Sequence, residues 1–161
     1  MRTIKRRRIE AKTDYLKRLK LLKSGKPRIV FRKTNRYIIA QYIESEEAKD
    51  KVKAGVTSKI LLKYGWPEKY EGSLKSIPAS YLTGLFFGKK IKEMPSPIFD
   101  IGMIQSIHKT KVFAFIKGII DSGIKTSCKK EAFPEDAKIR GENLKNKIPF
   151  QEIKQRIEMG R

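Results

Sequence analysis

The side chains best suited to chemistry in this sequence are basic and aromatic residues that alternate near its beginning. Aromatic rings and guanidinium groups stack on unpaired nucleobases, and cationic groups bind the phosphates between them. The pattern therefore predicts a surface for single-stranded or looped RNA. Its members are Tyr15, Phe31, Tyr37 and Tyr42, interleaved with Arg18, Arg28, Arg32 and Arg36.

Some of these aromatic residues, and Asn35 beside them, allow more than one interpretation. Phe31 shares the apolar run 29–31 and is expected in the core, which leaves Tyr15 and Tyr37 as better candidates for RNA contact. Asn35 lies in the turn before Tyr37, where it either reads a base edge or adopts the left-handed conformation common in turns. The sequence leaves both roles of Asn35 open.

Residues for catalysis or metal binding are few. His108 is the only His and Cys128 the only Cys. Structural zinc needs about four Cys or His ligands, so we expect no metal, no cofactor and no catalytic residue. Cys128 is expected to pack at the end of a strand.

Asp100 follows the apolar pair Ile98-Phe99, so its carboxylate is expected to be partly buried. A partly buried carboxylate could belong to the metal site of a nuclease. A two-metal site needs several converging carboxylates, and the first predicted strand offers none. We therefore expect Asp100 to cap a helix or pair with a Lys, and the chain to be no enzyme.

Charge is distributed unevenly along the 161 residues. Lys and Arg total 38 against 17 Asp and Glu, a net charge of +21. Residues 1–36 hold 15 basic and 2 acidic residues and so carry +13 of that excess. A charge of this size repels itself unless a polyanion neutralises it. Nucleic acid is the leading partner, and an acidic membrane surface is the second.

Several features indicate an intracellular protein. No run of residues is long and apolar enough for a membrane span, and no secretory signal precedes the basic start. A single Cys fits a reducing cytosol. The first predicted helix is basic with a narrow apolar edge, so it meets the requirements of a peripheral membrane binder only in part.

Periodicity predicts an α/β fold with a mixed sheet of about five strands and helices on its faces. The expected helices cover 13–24, 79–91 and 112–120. The expected strands are a hairpin over 28–43, a third strand over 52–57 with a possible bulge at Gly55, and strands over 98–101 and 124–128. Gly84 and Gly88 indicate close helix packing. The chain is divided into a basic arm and helix (1–26), a globular domain (27–128) and an irregular C-terminal tail (129–161), which packs on a partner or stays mobile.

The stretch RRRIEAKTDYLKRLKLLKSGKPRIVFRKTN, Arg6 to Asn35, resembles the start of the large-subunit ribosomal protein eighteen family, in its archaeal and eukaryotic branch. The similarity continues through PASYLTGLFFGKK (78–90), FDIGM (99–103), KVFAFIKGIIDSGI (111–124) and FPEDAKIRGENL (133–144). It covers about residues 5–145.

This resemblance implies a ribonuclease-H-like sheet without nuclease activity. It implies a structural constituent of the large ribosomal subunit in the cytoplasm. The protein would bind 5S rRNA and help attach it to the large-subunit rRNA in the central protuberance, beside a neighbouring 5S-binding ribosomal protein. No membrane and no small-molecule substrate is implied.

Carried over by position, the RNA-binding residues fall in the basic arm, the first helix, the first strand with its turn, and the loop before the 112–120 helix. That loop, 106–110, lacks the Pro and Gly of the Pro-Thr-Lys-Gly-Ser-like pattern usual in the family. The residues are Arg6, Arg7, Arg8, Lys12, Tyr15, Lys17, Arg18, Lys20, Lys23, Arg28, Arg32, Lys33, Asn35, Arg36, Tyr37, Lys109 and Lys111.

Overall fold

A mixed sheet with helices packed against it forms the body of the protein. The computed structural model describes residues 9–10, 13–46, 49–126, 128–144 and 147–160. The helices are α1 (Tyr15–Lys23), α2 (Ile77–Lys90), α3 (Lys111–Asp121), α4 (Asp136–Arg140) and α5 (Phe150–Met159), and the strands are β1 (Arg28–Lys33), β2 (Ile38–Glu46), β3 (Lys49–Thr57) and β4 (Ile98–Asp100). Short 3-10 helices cover Ser58–Tyr64, Glu68–Ser73 and Lys130–Ala132.

The sheet has the strand order β3-β2-β1-β4, with β4 parallel to β1 and the other neighbours antiparallel. This confirms the α/β class and the mixed sheet. The bulge lies in β3 at Lys53, because Tyr42 pairs with Ala54 while Ile43 pairs with Val52. The expectation of a bulge at Gly55 was wrong, since Gly55 pairs regularly with Gln41.

The sheet has four strands in the described residues, so the prediction of about five was too high. The difference is the expected strand over 124–128. Ile124 and Cys128 are partly buried and pack against the core, but the described part of this segment joins no strand ladder. A strand of the sheet needs both buried apolar side chains and backbone hydrogen bonds to a neighbouring strand. The described part of this segment has only the buried side chains.

Helix α1 lies inside the predicted range 13–24, beginning two residues later and ending one residue earlier. Asp14 is the N-cap, and its side chain accepts a hydrogen bond from Lys17 N at 3.0 Å. Gly25, with φ +63°, follows the helix in the left-handed conformation that ends helices. The apolar edge faces outward, however, because Leu16 and Leu19 are 66% and 50% exposed.

Helices α2 and α3 pack so closely that their crossing requires glycine. A Cβ added to Gly84 would lie 2.2 Å from Phe115 O, and one added to Gly118 would lie 2.2 Å from Tyr81 O. The core around these helices forms two clusters. The first joins the sheet to α2 and α3 through Ile29, Phe31, Tyr42, Phe87 and Phe115, and the second joins α2 to the C-terminal region through Leu61, Trp66, Leu82, Ile153 and Ile157.

Candidate nucleic-acid interface

The predicted RNA-binding residues fall into three places in the fold. Helix α1 carries one group, β1 and the turn after it carry a second, and the loop before α3 carries the third. Arg6, Arg7, Arg8 and Lys12 lie outside the described residues.

Helix α1 is attached to the sheet by polar contacts. Lys17 Nζ donates to Gly102 O at 3.1 Å, and Arg18 Nη2 lies 2.8 Å from Asp50 Oδ2. No side chain of α1 is fully buried. Lys17 and Arg18 therefore lie on the side of the helix that faces the rest of the protein. Lys20 and Lys23 are exposed to solvent.

Arg28 is buried, with only 1% of its surface exposed. Its Nη2 donates to Asp50 Oδ1 at 2.7 Å and to Ser45 Oγ at 2.9 Å, and its Nη1 lies 3.3 Å from Asp100 Oδ2. The guanidinium therefore connects β1 to β2, β3 and β4 inside the protein. In this arrangement Arg28 orders the sheet that supports α1.

Asp100 is the second centre of this network. It is 7% exposed and accepts hydrogen bonds from Arg28, from Arg32 Nη2 at 3.2 Å and from Gly102 N at 2.8 Å. The expected partner was a Lys or a helix terminus, so the prediction for Asp100 was wrong. A planar guanidinium fits here because it donates to two oxygens at once; Arg32 Nη1 also reaches Asp100 O at 2.8 Å.

Asp50 shares its carboxylate between α1 and β1. Burial raises the pKa of this carboxyl, but hydrogen bonds from Ser45 and Arg18 and the charges of Arg28 and Arg18 outweigh burial and leave the pKa below its ordinary value. The carboxylate therefore stays ionised and holds both arginines. The sequence did not single out Asp50, because its partners Arg18 and Arg28 lie 32 and 22 residues away.

The turn after β1 presents Asn35 and Arg36 to solvent. Thr34 braces the turn, since its Oγ1 accepts from Tyr37 N at 2.9 Å. Among the described non-glycine residues only Lys109 has a positive φ, so the left-handed role considered for Asn35 was wrong. The hydroxyl of Tyr37 donates to the Glu71 carboxylate, and this hydrogen bond raises the pKa of Tyr37.

The loop before α3 is ordered despite its missing Pro and Gly. Lys109 has φ +60°, the conformation that favours glycine, at the position where the family pattern has Gly. Its N–H donates to Ala132 O at 2.8 Å, and Thr110 Oγ1 donates to Ile107 O at 2.8 Å. Lys111 follows, half-buried, at the start of α3.

Other kinds of site find no support in the part of the chain that the structure describes. No group of three or more His, Cys, Asp and Glu side chains there could hold a metal ion. None of the described helices combines the length and the apolar character needed to cross a bilayer.

Comparison with known proteins connects this geometry to one family. The family model described as "Ribosomal large subunit proteins 60S L5, and 50S L18" matches residues 1–96. The large ribosomal subunit protein uL18 of Korarchaeum cryptofilum is 47% identical over 141 residues, which are 86% of this chain and 70% of that protein. The uL18 protein of Methanothrix thermoacetophila is 40% identical over 143 residues (88% and 82%), and that of Methanoculleus marisnigri is 40% identical over 146 residues (89% and 81%).

Proposed function

Because this chain belongs to the L18 family of large-ribosomal-subunit proteins, we propose that it binds 5S rRNA and helps attach it to the large-subunit rRNA in the central protuberance. Membership of the family makes it a structural constituent of the large subunit and not an enzyme. The proposal adds the RNA partner, the position in the subunit and a neighbouring 5S-binding ribosomal protein.

The observation that carries the proposal is the placement of basic charge. Residues 1–36 hold +13 of the net +21, and α1 directs Lys20 and Lys23 away from the sheet. Neither lysine has an acidic partner among the described residues. Unpaired cations on one face are suited to phosphate, because each contact releases counterions from the RNA.

The predicted residues divide into two roles under this proposal. Those with exposed, unpartnered side chains contact RNA directly: Lys20, Lys23, Lys33, Asn35 and Arg36, with Tyr15 at the start of α1. Lys17, Arg18 and Arg28 act indirectly, because their contacts with Gly102, Asp50 and Asp100 hold α1 and the sheet together. Arg6, Arg7, Arg8 and Lys12 would extend the direct surface.

Chemical footprinting of 5S rRNA, with and without the full chain, tests the proposal. We expect a protected region, and an affinity that falls steeply with salt, by roughly 0.7–0.9 log unit per phosphate contact for each tenfold rise in salt. Transfer RNA at equal nucleotide concentration is the control for charge alone. Equal affinity for tRNA and 5S rRNA, or a salt-independent affinity, would contradict the proposal.

Deleting residues 1–12 tests the basic arm separately. The deletion removes basic charge but none of the helices and strands described above. We expect weaker 5S rRNA binding with an unchanged circular dichroism spectrum. Normal binding by the shortened chain would refute the role of the arm while leaving α1 as the contact element.

A further inference from the structure

A cavity of about 460 Å³ opens between the end of β1 and the start of α3. Ligand pockets in proteins run from about 300 to 1,000 Å³, so the cavity has room for a nucleotide-sized group. Its walls are largely apolar and come from three parts of the chain, namely β1, the start of α2 and the segment 104–112. They include Phe31, Ile77, Ile104, Ile107 and Val112.

The rim of this cavity is basic. Lys33, Lys109 and Lys111 line it, and Lys75 is close enough to act on Lys111. Burial lowers the pKa of Lys111, and the charges of Lys33 and Lys75 lower it further. Lys109 has Glu135 at 3.6 Å, whereas Lys33, Lys75 and Lys111 have no acidic partner in the described residues. The ammonium groups of Lys33 and Lys75 thus repel that of Lys111 beside the apolar wall of the cavity.

The walls of the cavity are held in place before any ligand arrives. Lys109 N–H donates to Ala132 O, and Thr110 Oγ1 donates to Ile107 O, so the loop carrying Ile107 is fixed at both ends of its turn. Ile107 nevertheless remains 57% exposed. This exposed aliphatic side chain lies beside cationic groups without acidic partners, and the combination matches an occupant with an apolar face and an anionic group.

We propose that this cavity receives a single unpaired rRNA nucleotide, with its base against Ile104 and Ile107 and its phosphate against Lys33 and Lys111. An extruded base packs well between apolar side chains, and its own phosphate supplies the charge that the rim lacks. This inference rests on the proposed function, and it adds a base-holding pocket to a surface otherwise suited to phosphate.

An acidic peptide segment also offers negative charge, but RNA is favoured. The chain carries +21 overall and belongs to a family of ribosomal proteins. A base also provides the flat apolar surface that matches the mouth between Ile104 and Ile107. The peptide is therefore an outcome of the test and not a second proposal.

Methyl-labelled isoleucine NMR of the full chain provides a direct test. Adenosine and uridine monophosphates are titrated separately, with inorganic phosphate as the control for charge alone. We expect at least one nucleotide to shift the Ile104 and Ile107 methyl signals saturably, and phosphate to leave them in place. Unchanged isoleucine signals with both nucleotides, or identical shifts with phosphate, would overturn the inference.

Affinity for 5S rRNA provides the second measurement. Ile107→Ser removes an apolar contact with the base and Lys111→Gln removes a phosphate contact. Each should weaken binding by about tenfold, which is about 1.4 kcal/mol. The matched controls are Val52→Ser, an aliphatic residue of similar exposure (54%) on β3, and Lys125→Gln, an exposed lysine. Both controls should bind like the unaltered chain, and circular dichroism checks the folding of each variant.

The outcomes separate this inference from the proposed function. Normal 5S rRNA binding by Ile107→Ser and Lys111→Gln would overturn the pocket and leave 5S binding intact. Failure of the unaltered chain to bind 5S rRNA, with nucleotide shifts still present, would remove the proposed function and keep a nucleotide pocket. Stronger shifts from an acidic, aromatic-containing peptide than from either nucleotide would also overturn the rRNA assignment.

Discussion

The guanidinium of Arg28 lies 3.3 Å from the carboxylate of Asp100, across two adjacent parallel strands and almost fully shielded from water. Asp50 holds the same guanidinium from the other side, at 2.7 Å. One buried cation thus faces two carboxylates, and each carboxylate also binds a second arginine. The network connects α1, β1, β3 and β4, although no residue of α1 is itself fully buried.

Replacing Asp100 with Asn should destabilise the fold strongly. Removing one member of a buried ion pair typically costs about 3–5 kcal/mol, and we expect the lower part of this range because Asp50 still pairs with Arg28. Urea unfolding measures the change. Asp136→Asn is the control, since that carboxylate pairs with Lys117 but is 70% exposed. Equal stability of the Asp100 variant and the unaltered chain would contradict the structural role of the pair.

Acid should weaken the network through Asp50. Its pKa lies below the ordinary value of 3.8 in the folded state, so its contribution is fully present above the unfolded value. The contribution is lost as the pH falls through the lower folded value. Unfolding free energies measured from neutral pH downward should therefore fall more steeply below about pH 4 for the unaltered chain than for Asp50→Asn. Parallel curves would show that Asp50 makes no such contribution.

Lysines on the outward side of α1 should set part of the salt dependence of RNA binding. The double change Lys20→Gln/Lys23→Gln removes two cations that have no acidic partner in the described structure. We expect the log–log salt slope to fall by roughly 1.4–1.8, the value for two phosphate contacts. Lys59→Gln/Lys125→Gln is the matched control on exposed lysines elsewhere. Equal slopes for the two double variants would remove α1 from the interface.

Lys109→Gly should stabilise the protein. A non-glycine residue in the left-handed region destabilises the folded state by about 1–2 kcal/mol. Glycine removes this strain, but its greater freedom in the unfolded chain offsets about 0.5–1 kcal/mol of the gain. A net gain of about 0.5–1 kcal/mol should raise the melting temperature in calorimetry. Lys109→Ala keeps the strain and should show no gain. A gain of equal size in both variants would point to the lost charge as the cause.

Close packing of α2 on α3 should not tolerate Gly84→Ala. The added Cβ would meet the backbone of Phe115 at 2.2 Å, and backbone cannot move aside as a flexible side chain does. Overpacking of this kind costs about 1–3 kcal/mol or more, measurable by urea unfolding. Gly72→Ala, where nothing lies within 4 Å of the new atom, should leave stability nearly unchanged. Similar losses at both glycines would show that the close contact with Phe115 is not responsible.

Local patterns predicted the elements of this fold well. Helix α1, the β1–β2 hairpin and the close packing at Gly84 all follow from patterns that act over a few residues. The α/β class and the mixed sheet followed from the order of those elements.

Partners far apart in sequence could not be predicted in the same way. Arg28 has the sequence appearance of a surface cation, yet Asp50 and Asp100 lie 22 and 72 residues away and make it an internal one. Leu16 and Leu19 have the spacing of a buried helix edge, but Lys17 and Arg18 find partners on the sheet and turn that edge outward. The cavity beside Lys111 likewise forms only when three segments distant in sequence, β1, the start of α2 and residues 104–112, come together.

The second core cluster has a consequence for the order in which the protein is made. Part of this cluster is supplied by Ile153 and Ile157 of α5, which pack with Leu61, Trp66 and Leu82. Helix α5 is the last of the described elements to be synthesised. A nascent chain therefore holds α1 and all four strands while one face of α2 is still uncovered. Under the proposed function, the segment that binds RNA is available before the interior can close, so partner recognition can precede completion of the core.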